Sequence, residues 1–153
     1  MAEGDIETAL EGMVTLQERM VHLIQQLSMP LVEVSMVISK QISGLMKSLN
    51  EHIELTNETF PTNATQAWQL TEDDTPDSTA QSSFELEKVM SIVDEQRMDI
   101  LETLIRVTLI ETDATLVDAL LALRPWQQIA RTQLSKVNGP GQLFSPIEIP
   151  EDW

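Results

Sequence analysis

The 153-residue sequence predicts an all-α protein, a long antiparallel helical hairpin or bundle with an additional C-terminal helix and an extended C-terminal tail. Three observations carry that expectation. Apolar residues recur at alternating steps of three and four from Ile6 to Leu55, the period of a helix that buries one face. A second stripe of the same kind begins at Leu86 and continues through Val89, Val93, Ile100, Val107 and Ile110. The closing residues GQLFSPIEIPEDW alternate apolar and polar side chains and hold two prolines, which forbid a helix.

The first element, residues 1–56, reads as one amphipathic helix with a coiled-coil-like seam. Leu10, Ile24, Leu31, Ile38 and Leu45 form one series of the seam, and Met20, Leu27 and Val34 belong to the other. Val14, Val21, Leu16 and Leu23 widen the apolar face beyond what a two-stranded coiled coil uses, so three or more helices are expected to meet on it. The opposite face carries Glu11, Glu18, Arg19, His22, Glu33 and Lys40 and is expected to be solvated. Pro30 lacks the amide that would bond the Gln26 carbonyl and is expected to bend the helix there. Around it Met29, Val32 and Met36 lie on the otherwise polar face, a girdle that calls for burial from both sides by a second layer of helices or a neighbouring subunit.

Residues 57–83 form a polar linker rich in Thr, Asn, Asp and Pro, with one short helical turn expected around ATQAWQL. A loop of that length exceeds the usual connection in a compact domain, so it is expected to pack on something. The second arm, residues 84–138, opens with Ser82 and Glu85 at capping-box spacing. It continues or restarts near Thr112 or Asp113, and Pro125 forces a boundary or a kink before a last helix, PWQQIARTQLSKV, that closes at NGPG. The acidic tail, residues 139–153, offers Phe144, Ile147, Ile149 and Trp153 as anchors for a groove. The whole forms one structural domain.

Twenty-five acids against nine bases give a net charge of −16, a field that repels phosphates, so no nucleic-acid partner is expected. The charge is uneven: residues 119–147 hold three bases and no acid, while residues 148–153 hold three acids and no base. Docking of the tail on that basic segment, in the same chain or the next, would be complementary. The absence of cysteine removes disulfides and thiolate chemistry. An acidic N-terminus without an apolar signal core predicts a protein that is not secreted, cytoplasmic or within a virion, and it deflates the glycosylation-like triplets at Asn57 and Asn63.

Catalytic chemistry is poorly supplied, and no enzyme, cofactor or metal is expected. His22 and His52 sit about eight turns apart on the first element and cannot meet within one chain. The acidic run EDDTPDS lacks the central glycine and terminal glutamate of an EF-hand loop, and neither histidine follows a glutamate at the spacing of di-iron bundles. The longest charge-free span of the first element, Met20 to Val32, is 13 residues and falls short of the ~20 that a membrane-spanning helix needs. Membrane contact is possible but not favoured. The expected function is therefore a non-enzymatic structural or assembly protein that forms a homo-oligomeric helical bundle, as in a virion or other large complex. Its partners would be itself and other protein subunits, through Leu10, Ile24, Leu27, Met29, Leu31, Val32, Val34, Met36, Ile38 and Leu45. Phe144, Ile147, Ile149 and Trp153 of the tail would act as an intersubunit clasp. Two alternatives stand beside it: an acidic chaperone, adaptor or nucleic-acid-mimicking inhibitor that binds a basic partner, and a membrane-active helical pore or ejection protein.

Overall fold

A computed structural model of the chain describes residues 2–69, 86–137 and 140–153. Among the described residues the protein is all-α, and its helices pack on one another as a bundle. In chain order they are α1 (Ala2–Leu27), α2 (Leu31–Thr56), α3 (Thr62–Thr65), α4 (Leu86–Ile92), α5 (Glu95–Glu111), α6 (Leu116–Ser135) and α7 (Pro140–Leu143). The long helices α1 and α2 face α5 and α6: α2 lies on α6, α1 on α5, and the short α3 packs on α6. The Ser82/Glu85 cap and the run EDDTPDS lie outside the described residues.

The single helix expected over residues 1–56 is two helices of 26 residues each. Ser28 enters the left-handed region at φ 47°, and its amide donates to the Gln25 carbonyl at 3.2 Å while the Met29 amide donates to the Ile24 carbonyl at 3.0 Å. That pair of bonds is a Schellman motif, and Ile24 and Met29, the apolar residues that bracket it, are both buried. Pro30 then starts α2 instead of bending a longer helix. Its ring holds φ at −63° with ψ 148°, and its carbonyl accepts the Val34 amide at 3.1 Å.

At the other proline no boundary forms, because α6 continues through Pro125. A proline inside a helix costs ~3 kcal/mol. Here Leu120 and Leu123 before it and Trp126 and Ala130 after it are all buried on the same core. Each large side chain contributes ~1.5–3 kcal/mol by leaving water, so continuing the helix outweighs breaking it. The segment PWQQIARTQLSKV is thus the second half of α6, not a helix of its own. The cap of α6 is Thr115, whose Oγ1 accepts the Asp118 amide at 3.1 Å, and not Thr112 or Asp113. Those two residues close α5 instead. Asp113 takes φ 51°, and the Asp113 and Ala114 amides donate to the Ile110 and Leu109 carbonyls at 3.1 and 3.0 Å, a second Schellman motif. The turn expected at ATQAWQL is α3, slightly upstream, with Ala64 buried and the Trp68 Nε1–H donating to the Asn63 carbonyl at 2.7 Å.

The tail is extended only after α7. It crosses the junction between α1 and α2, where the Leu31 amide donates to the Ser145 carbonyl at 2.8 Å and the Ile147 amide to the Met29 carbonyl at 3.1 Å. Gln133 on α6 donates to the Glu148 carbonyl at 2.6 Å and accepts the Glu148 amide at 3.0 Å. Trp153 meets Trp126 edge to face at 4.7 Å. Strapped in this way, the tail lies on its own chain.

Candidate functional site

The residues singled out as contact surface are, with one exception, packed within the chain. Ile24, Met29, Leu31, Val32, Val34, Ile38 and Ile147 are buried, and Leu27, Met36, Leu45, Phe144, Ile149 and Trp153 are half-buried against them. Leu10 alone stays outside, 55% exposed. In the girdle, Met29 and Val32 are buried and Met36 is half-buried against the same core, and the tail's backbone bonds run to Met29 and Leu31.

The polar core was not foreseen. Glu33, expected on the solvated face, is 0% exposed. Its carboxylate accepts the Arg97 Nε–H at 2.9 Å, the Arg97 Nη2–H at 2.7 Å and the Asp94 amide at 3.1 Å. The Glu33 hydrogen bonds raise the Arg97 guanidinium above its ordinary value, against a smaller opposing effect of burial. Asp94 also caps α5 through the Gln96 and Arg97 amides, so one cluster fixes the start of α5 against the first turn of α2. Among the described residues Arg124 is a second buried charge. It donates from Nε to the Ala64 carbonyl at 3.0 Å and from Nη1 to Gln127 at 2.8 Å, and burial followed by the nearby Arg131 lowers its pKa. Arg131 in turn donates to the Trp68 carbonyl at 3.2 Å. These two arginines pin the segment after α3 onto α6, which is how the front of the long linker is packed.

Exposed apolar side chains and a cavity mark two surfaces among the described residues. Along the outer face of α5, Ile100, Thr103, Val107 and Ile110 follow steps of three, four and three while facing solvent. At the end of the bundle, the first half of α1 meets the turn between α5 and α6 around a cavity of about 350 Å³. Met13, Leu16, Leu109 and Ala122 line it, with Asp113 and Asp118 at its rim. A methyl group on Gly12 would stand 3.0 Å from the Thr112 Cβ, so α1 and α5 approach closely at this point. Arg19 ties them one turn deeper by donating to Thr108 at 3.1 Å and to Glu111 at 2.7 Å.

Neither surface is a catalytic constellation. His52 lies 3.2 Å from Glu58 on the exposed end of α2, far along the chain from His22 on α1. Among the described residues, no group of three or more His, Asp or Glu side chains is placed to hold a metal ion, and no helix is long and apolar enough to cross a membrane. Comparison with protein-family models, curated proteins and solved structures gives no match to the chain.

Proposed function

We propose that the protein is a non-enzymatic structural protein that works by joining protein surfaces, copies of itself first, in a virion or another large complex. The outer face of α5 supports this reading. Ile100, Thr103, Val107 and Ile110 have the spacing of a helix–helix seam, yet among the described residues Ile110 is 79% exposed. A chain with net charge −16 repels its own copies over most of its surface. This face is nearly neutral, with Asp99 balanced by Arg106 along its flank, so two copies can bury apolar area there without stacking like charges.

Light scattering on the purified protein over a range of concentrations tests the proposal. The mass is expected to rise above the 17.2 kDa of one chain, and Val107→Asp is expected to hold it there. A monomer at every concentration overturns the reading. The adaptor alternative draws on the acidic end of the bundle, treated below. A membrane-active role would require residues 20–46 to leave a core in which Met20, Ile24, Met29, Val34 and Ile38 are already buried, and it ranks below both.

A further inference from the structure

We propose that the end of the bundle formed by the first half of α1 and the turn between α5 and α6 is a docking site for a basic, apolar segment of a second protein. The site begins with space. Its cavity of about 350 Å³ falls at the small end of ligand-sized clefts, room for one or two apolar side chains. Met13, Leu16, Leu109 and Ala122 give it an apolar floor. On the other side of the same turn a shallower cavity of about 310 Å³ shares Leu109 and Asp113 and is walled by Leu45, Ile110 and Leu116. The two cavities share Leu109, Asp113, Ala114 and Thr115 and so flank one turn, with the exposed Ile110 in the wall of the second.

Charge selects the occupant. Residues 7–18 and 112–123 together hold five acids and no lysine, arginine or histidine, while Glu111 beside them is paired with Arg19. Of these, Asp113 stands at the apex of the turn on left-handed backbone, and Asp118 lies in the first turn of α6. A second copy of this chain would bring Asp113 and Asp118 against their own kind, and the phosphates of nucleic acid or of an anionic lipid surface would be repelled as well. A segment that places leucine-like side chains in the groove and lysine or arginine against Asp113 and Asp118 satisfies both features. Ile110 borders both this site and the outer face of α5, whereas Val107 lines neither cavity, so Val107→Asp separates peptide docking from self-assembly.

The test uses the full chain and a fluorescein-labelled model peptide of interspersed leucine and lysine, with oligo-lysine of equal length as the charge-only control. Binding is followed by fluorescence anisotropy at low and physiological salt, and by the methyl resonance of Met13. The leucine–lysine peptide is expected to bind at least about tenfold more tightly than oligo-lysine and to shift the Met13 methyl. The double variant Asp113→Asn/Asp118→Asn is expected to weaken it about tenfold, and so is Ala9→Phe, which fills the cavity from α1. Val107→Asp should leave peptide binding unchanged. Equal binding of the two peptides, or a Met13 methyl that does not move, overturns the proposal. So does a fall in the protein's own mass with Ala9→Phe, which would put a second copy in the groove. If Ala9→Phe does not fold, the aspartate variant and the Met13 resonance decide.

Discussion

Replacing Arg97 with methionine tests the most consequential polar contact in the fold. The change keeps the length of the side chain and removes both guanidinium bonds to Glu33, leaving a fully buried carboxylate with the Asp94 amide as its remaining partner. Stripping one member from a buried ion pair costs ~3–5 kcal/mol. Arg97 is itself 34% exposed, so water already screens its half of the pair and the lower end, about 3 kcal/mol, applies. For a chain of this size that lowers Tm by about 6–12 °C. Glu33→Gln should cost less, about 1–2 kcal/mol, because Arg97 can turn to solvent whereas Glu33 cannot. Arg19→Met breaks an ion pair whose members are 42% and 53% exposed, and it should cost under about 1 kcal/mol. In the wild type the raised pKa of Arg97 contributes stability that is complete below the ordinary guanidinium value and lost only as pH rises through the folded value, beyond any usable range. Thermal melts followed by circular dichroism at neutral pH read these losses. A loss below about 1 kcal/mol for Arg97→Met, or one no larger than that of Glu33→Gln, would refute the view that Arg97 is what permits Glu33 to be buried.

Removing residues 143–153 should lower Tm and shift tryptophan emission to the red, since Trp126 loses Trp153 and the covering tail; unchanged emission would mean that the tail does not cover Trp126 in solution. Ser28→Gly should stabilise the protein by about 0.5–1 kcal/mol, because glycine adopts the φ of 47° without the strain that a Cβ brings, and denaturant unfolding measures the gain.

The helical class and the apolar face of α1 and α2 were legible because periodicity depends on residue type alone, and Ile24, Leu31, Val34 and Ile38 are all in the core as their spacing predicts. Contacts between distant residues were not legible, and the two prolines show why. Local rules treat Pro30 and Pro125 alike, yet α2 starts at the first and α6 passes through the second. At Pro30 the break gains partners from far along the chain: the Ser145 carbonyl takes the Leu31 amide, and the Met29 carbonyl takes the Ile147 amide. At Pro125 the residues on both sides already share one core, and a break would expose Trp126. Glu33 fails the local reading in the same manner, since its partner Arg97 lies 64 residues away and a polar residue on a polar stripe gives no sign of it. The bundle end follows the same logic. Its two acidic segments, residues 7–18 and 112–123, could each be counted in the sequence, but only the close approach of Gly12 to Thr112 puts them on either side of one cavity. Where residue type decides, the sequence suffices; where a partner decides, the fold must supply it, and the groove proposed for a basic partner belongs to the second kind.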